Sequence, residues 1–193
     1  MTDPRVERTR QALFSALDEL LAEMPFGEIS VSALAKRANV GRQTLYRHFD
    51  SIGAMVDARM QFGMAEQIEL ARSSEGNEAD WMQQVALVAC ERVAAQPHIS
   101  RAILSGEAGQ DALASMRAQL VALRSDAPND PLEHVPADLQ GFVASFYAGA
   151  VAAVLLHWTE AGCTPDAETM SRVIARLTAN VPTEWGEIIR STG

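Results

Sequence analysis

Apolar residues recur along this chain every three to four positions, and no run keeps the two-residue rhythm of a strand. Leu13, Leu17, Leu20, Leu21 and Met24 form one stripe of a helix that starts near Pro4, with Thr2 or Asp3 as its cap, and ends at Pro25. Ser30 is the N-cap of a short helix with Val31, Leu34, Ala35 and Ala38 inward. Asn39 breaks that helix, since Asn tolerates left-handed backbone better than most residues, and Val40 and Gly41 complete a tight connection. A second short helix runs from about Arg42 to Phe49, with Leu45 and Phe49 on its inner side. Ser51 caps a longer helix with an Ile52, Val56, Met60, Met64, Ile68 stripe.

The same period continues to the end of the chain. Asn77 opens a helix with Trp81, Val85 and Val88 inward, and Gln96-Pro97 breaks it. A short helix reaches Leu104, and after Gly106 and Gly109 another carries Leu113, Met116, Leu120 and Leu123. Pro128, Pro131 and Pro136 mark a loop. Thr164-Pro165 restarts a helix with Met170, Val173, Ile174 and Leu177 in register, and a short last helix holds Trp185 and Ile188. The expected fold is all-α.

Between the proline loop and Thr164 lies a stretch with its own character. Leu139 to Thr159 contains no Asp, Glu, Lys or Arg over 21 residues, about the length that crosses a bilayer. It also carries Gln140, Ser145, Tyr147 and His157, and its flanks are the acids Asp138 and Glu160 rather than basic anchors. The expectation is therefore a core helix buried on all sides that also meets another subunit, and no membrane span. Ala144, Ala148, Gly149, Ala152 and Ala153 allow close helix contact there, with Leu155 and Trp158 adding buried area. With the Met170–Leu177 helix it would build a four-helix bundle across a two-fold axis, giving a homodimer.

Composition bounds the rest. The 193 residues are 48% hydrophobic and 21% charged, as in a globular chain that can bury its own core. Net charge is −9, but residues 1–50 hold seven basic and seven acidic side chains, so only this quarter can approach a polyanion without strong repulsion. Cys90 and Cys163 have no zinc-ligand spacing, the histidines are scattered, and no nucleophile–base spacing supports an enzyme. No metal or cofactor is expected. Met1 leads into Thr-Asp-Pro-Arg without an apolar leader, which suggests a soluble, cytoplasmic protein.

The chemistry concentrates in Val31 to Phe49, two short helices around a three-residue turn, the outline of a helix-turn-helix. The second helix presents Arg42, Gln43, Thr44, Tyr46, Arg47 and His48, six hydrogen-bonding side chains in seven positions. Lys36, Arg37, Arg42 and Arg47 lie within twelve residues, with no acid between Ile29 and Phe49. Arg can take guanine O6 and N7 with two parallel bonds, and Gln can take adenine N6 and N7.

Ala35-Lys36-Arg37-Ala38-Asn39-Val40-Gly41, followed by Thr44-Leu45-Tyr46-Arg47-His48-Phe49, resembles the DNA-binding domain of TetR-family transcriptional regulators. The likeness spans residues 5–56, with Leu13, Phe14 and Leu17 at first-helix apolar positions. It implies an N-terminal three-helix helix-turn-helix domain (1–50) and a larger C-terminal helical ligand-binding and dimerisation domain (51–193). It further implies a homodimeric, ligand-responsive repressor on a palindromic double-stranded DNA operator. Arg42 and Gln43 match base-reading positions, and Thr44, Tyr46 and His48 match phosphate contacts. Ser30 and Ser32 match the start of the bracing helix, and Lys36 and Arg47 add charge.

Three positions depart from the family pattern: Asn39 stands for the usual turn Gly, Gly41 for a capping Ser, and Ile52 for a basic residue. Arg5, Arg8 and Arg10 are the cations available to replace the contact missing at Ile52. Met60, Met64, Trp81, Met116, Phe142 and Phe146 lie on helices that surround the effector cavity in the family, which makes them candidates to line a pocket for a small apolar molecule. The plain alternative for each is a packed core. The rival functions are a small helical enzyme using Cys90 or a histidine, and a TetR-like protein that has lost DNA binding and acts through protein or small-molecule contacts.

Overall fold

Helix follows helix throughout the computed structural model, which describes residues 4–61, 78–125 and 134–179. The helices are α1 (Pro4–Glu23), α2 (Val31–Arg37), α3 (Arg42–His48), α4 (Ile52–Gln61), α5 (Glu78–Ala95), α6 (Pro97–Leu104), α7 (Gln110–Ser125), α8 (Ala137–Glu160) and α9 (Ala167–Thr178). A 3-10 turn at Phe26–Glu28 joins α1 to α2, and no strand occurs among the described residues. The expected Thr2 or Asp3 cap, Met64, Ile68, Asn77 and the helix around Trp185 and Ile188 lie outside the described residues.

Local chemistry sets the helix ends. The Ser30 hydroxyl accepts the Ala33 N–H at 3.1 Å, and the Ser51 hydroxyl accepts that of Ala54 at 3.0 Å. At α9 the cap is Asp166, whose carboxylate takes the Thr169 N–H at 2.8 Å, so this helix begins just after Thr164-Pro165. Pro97 opens α6 where its missing N–H costs nothing.

The chain divides into two units, each with its own contacts: Met1–Met64 with Gln96–Met116, and Ala65–Ala95 with Arg117–Gly193. The cut differs from one at residue 50, because α4 and α6 pack with the N-terminal helices. In the first unit α1 contacts α2, α4 and α6, and α4 contacts α6. Leu13, Leu17, Leu34, Leu45, Met55, Val56 and Ile103 are fully buried there. Gly53 at the start of α4 is essential to this packing, since a Cβ at that position would overlap the Ala108 carbonyl oxygen. Ala108 sits in a tight turn in which Gly106 and Gly109 have φ of 81° and 106°, backbone that suits glycine.

Aromatic and cationic groups fasten α1 to its neighbours. The Phe14 ring lies 5.5 Å from that of Phe49, and the Arg10 guanidinium sits 5.4 Å over Phe14 and 5.7 Å over Phe49. Arg59 of α4 lies 5.7 Å over Phe14 and pairs with Asp18 at 3.0 Å. Arg10 is therefore a packing residue and not a free cation reaching for phosphate.

In the second unit α5 and α9 make the most extensive helix pairing, and α8 packs against both. α8 is not buried on all sides. Its buried residues, Ala144, Ala148, Ala152, Leu155, Trp158 and Thr159, form one stripe, and 28% of its most apolar window is buried. Ala144, Ala148 and Ala152, expected at a subunit contact, face the interior of their own chain, as do Leu155 and Trp158. The Trp158 indole N–H donates to the Pro165 carbonyl at 2.6 Å, which fixes the turn into α9. The exposed side of α8 carries Phe142 (76% exposed) and Phe146 (70%), and α9 adds exposed Val173 and Leu177.

Candidate nucleic-acid interface and ligand cavity

The α2–turn–α3 segment is built from the inside outward. Leu34, Ala35 and Ala38 bury one side of α2, and Leu45 with Phe49 buries one side of α3. Asn39 connects them with φ of 53°, the left-handed backbone its side chain tolerates, and the Val40 N–H donates back to the Ala35 carbonyl at 2.9 Å. Gly41 then sits at the N-cap of α3 in extended backbone, with no side-chain cap bond. The position does not need glycine: its φ is −74°, and a Cβ there would meet only Thr44 Oγ1, at 3.9 Å.

With Leu45 and Phe49 anchored, the other side of α3 faces outward. Arg42, Gln43, Tyr46 and Arg47 are exposed, and Thr44 and His48 are half-buried at its edges. Tyr46 is 54% exposed, too open for a core aromatic. The His48 ring lies 6.3 Å from that of Phe49. On α2, Ser32 and Lys36 are exposed, whereas the Ser30 hydroxyl is engaged in the helix cap. Lys36, Arg42 and Arg47 make no ion pair among the described residues.

Arg37 belongs to a different structure. Its guanidinium pairs with Glu19 at 3.0 Å and Glu23 at 2.8 Å, both on α1. The two bonds to Glu23 are the parallel kind a carboxylate accepts best. They hold the Glu23 carboxyl below the usual carboxylate range and push the Arg37 guanidinium further up. Proximity in sequence placed Arg37 among the cations of the motif, and the ion pairs remove it. Ile52, at the position where the resemblance implies a cation, is half-buried at the start of α4.

A small cavity of about 60 Å³ opens inside the second unit. Met82, Val85, Ala86 and Ala89 of α5 line it, with Leu120 and Val121 of α7. Tyr147, Ala148 and Val151 of α8, with Ile174 and Thr178 of α9, complete much of the wall. Of the residues expected to form a pocket, none of those described is in this lining. Met60 and Met116 are buried in the first unit. Phe142 and Phe146 point away from the protein interior, because the inner stripe of α8 runs through Ala144 and Ala148. Trp81 is buried beside the cavity, packed with Met82, Val85 and Val88. The expectation favoured bulky residues; what opens the space is the small size of Ala86, Ala89, Ala144 and Ala148.

Neither thiol is activated. Burial pushes Cys90 up to about 12 and also raises Cys163, and no group of three or more metal-ligating side chains occurs among the described residues.

Residues 13–58 match the family model of bacterial regulatory proteins, tetR family. No curated protein matches the chain by sequence. The solved fatty acid degradation regulator FadR from Bacillus halodurans is 15% identical, with a TM-score of 0.65 over 92% of this chain and 95% of its own. A TetR transcriptional regulator from Rhodococcus sp. RHA1 is 22% identical, with a TM-score of 0.63 over 91% of this chain and 99% of its own. FadR from Bacillus subtilis, solved in complex with stearoyl-CoA, is 14% identical, with a TM-score of 0.61 over 86% and 96%. Such identities speak to fold. An outward-facing polar α3, a left-handed Asn39 turn and the matching family model agree: residues 13–58 are a TetR-family N-terminal domain, in a chain with the fold of TetR-family regulators.

Proposed function

We propose that this protein is a homodimeric, ligand-responsive transcriptional repressor that reads a palindromic operator with α3. One observation carries the reading: Leu45 and Phe49 hold α3 so that Arg42, Gln43, Tyr46 and Arg47 face solvent together. Arg42 and Gln43, at the start of α3, read base edges in the major groove. Thr44, Tyr46, Arg47 and His48, with Ser32 and Lys36 of α2, contact the phosphates that set register. Ser30 contributes through the helix end it caps.

Dimerisation follows from exposed apolar surface. Phe142, Phe146, Val173 and Leu177 are large apolar side chains exposed on α8 and α9, in a region where α8 carries no charge from Leu139 to Thr159. A second copy covers this face and presents α3 twice, about 34–36 Å apart or a multiple of that. The functional division remains a DNA-reading part at 1–50 and an effector and dimer part at 51–193, acting in the cytoplasm without catalysis. An effector in the second unit weakens operator binding by its differential affinity for the form that does not fit DNA.

The half-buried Ile52 favours one second reading, a TetR-like protein that has lost DNA binding. A gel shift with the DNA upstream of its own reading frame separates the two. The repressor reading expects retardation at low salt, with Arg42→Ala relaxing base preference. No retardation of any fragment supports the second reading.

A further inference from the structure

The exposed side of α8 has a bulky half and a hollow half. Phe142 and Phe146 stand 76% and 70% exposed, one turn apart. The next turns bring only Ala150 and Ala153 to that side, both exposed, with Gly149 half-buried at its edge. Gly149 serves no purpose within its own chain. It lies inside a helix, where only proline is less favourable, and a Cβ built there meets nothing within 4 Å among the described residues. A glycine that weakens its helix and relieves no internal contact marks a close approach from outside. The two ends of the helix also differ. Asp138 is exposed at the first, and His157 and Glu160 are exposed at the last. None of the three makes an ion pair among the described residues.

We infer that α8 pairs antiparallel with α8 of a second copy in one register, each Phe146 seated on the partner's Gly149 and the partner's Ala150, and each Phe142 on the partner's Ala153. The spacings match: the rings are about 6 Å apart along the axis and the two alanines about 4.5 Å. His157 lies seven residues beyond Ala150, and Asp138 eight before Phe146. The same register therefore sets His157 beside the partner's Asp138, whose carboxylate accepts an imidazole N–H. Parallel pairing does the reverse. It stacks ring on ring, leaves the hollow half empty, and sets Asp138 against the partner's Asp138. The four rings of a pair bring roughly 600 Å² to the contact, a large share of the about 1,200–2,000 Å² that a stable interface buries. The inference rests on the proposed homodimer and goes beyond it by fixing orientation, register and the residues that choose the partner.

Sedimentation equilibrium on the full-length protein tests it by giving the dimer dissociation constant of each variant. Gly149→Leu should weaken the dimer about thirtyfold or more. Its helical signal and urea stability as a monomer should hold or rise, because the chain leaves that space open. Ala150→Leu gives the same test one position on, should the first variant not fold. Phe146→Ala should also weaken the dimer, and adding it to Gly149→Leu should recover about tenfold, because the new leucine then fills the place of the ring. His157→Glu should weaken the dimer several-fold, and Asp138→Arg in the same chain should restore it, which parallel pairing would not allow. A Gly149→Leu protein that dimerises as the wild type does, or paired changes that recover nothing, would overturn the register and leave the homodimer standing. A wild-type protein that stays monomeric at every concentration would overturn both.

Discussion

Replacing Arg47 by alanine should weaken the salt dependence of DNA binding and replacing Arg37 should not, although both are arginines of one motif. Arg47 is exposed on α3 and makes no ion pair among the described residues, whereas Arg37 is held by Glu19 and Glu23. Each phosphate neutralised adds about 0.9 to the slope of log K against log salt. A dimer presents each cation twice, so Arg47→Ala should lower that slope by about 1.8. Between 50 and 200 mM salt the wild type should then lose about twelvefold more affinity than the variant. Arg37→Ala should leave the slope unchanged, because its charge is already neutralised within the chain. Fluorescence anisotropy on one duplex across five salt concentrations gives both slopes. Equal slope losses in the two variants would show that the Arg37 pairs open on DNA, and would refute the division of the motif's cations.

Four further outcomes follow from the geometry. Gly53→Ala should destabilise the fold by about 1–3 kcal/mol in urea melts, because the new methyl overlaps the Ala108 carbonyl oxygen and backbone must move. Gly41→Ser should instead stabilise by about 0.5–1 kcal/mol, supplying the missing α3 cap in open space at an ordinary φ. Cys90 stays protonated in the folded state up to about 12 while an unfolded thiol ionises near 8.5, so its contribution to stability is complete below that value and declines as pH rises. The decline should be about 1.4 kcal/mol per pH unit, measured as the difference in urea stability between wild type and Cys90→Val at pH 9 and 10. Finally, Phe142→Ser with Phe146→Ser should shift the protein to monomer in light scattering, with its helical signal retained; an unchanged dimer mass would place the subunit contact elsewhere.

Much of the fold is legible in the sequence because its signals are local. Pro25 and Pro97 stop or start helices by lacking an N–H, Ser30 and Ser51 cap by hydroxyl, and Asn39 turns by tolerating positive φ. The α3 surface is legible for the same reason: spacing alone puts Leu45 inside and Arg42, Gln43, Tyr46 and Arg47 outside. What escaped depends on distant partners. Nothing near Arg37 in sequence announces Glu19 and Glu23, and nothing near Arg10 announces the Phe49 ring. The cavity escaped because empty space comes from small residues meeting across helices, and an alanine on α5 does not reveal the alanine it faces on α8. α8 misled in another way: an apolar, charge-free segment describes what the helix tolerates, while its burial depends on how much of the protein surrounds it.

The most direct measurement is selection of bound duplexes from a random pool at low ionic strength, sequenced beside a pool taken through Arg42→Ala. A protein that reads DNA with two copies of α3 should enrich one inverted repeat, with half-sites a helical turn or a multiple apart, and the Arg42→Ala pool should lose preference at a symmetric pair of positions. A wild-type pool that stays as random as it began would contradict the assignment of α3 as a DNA-reading helix.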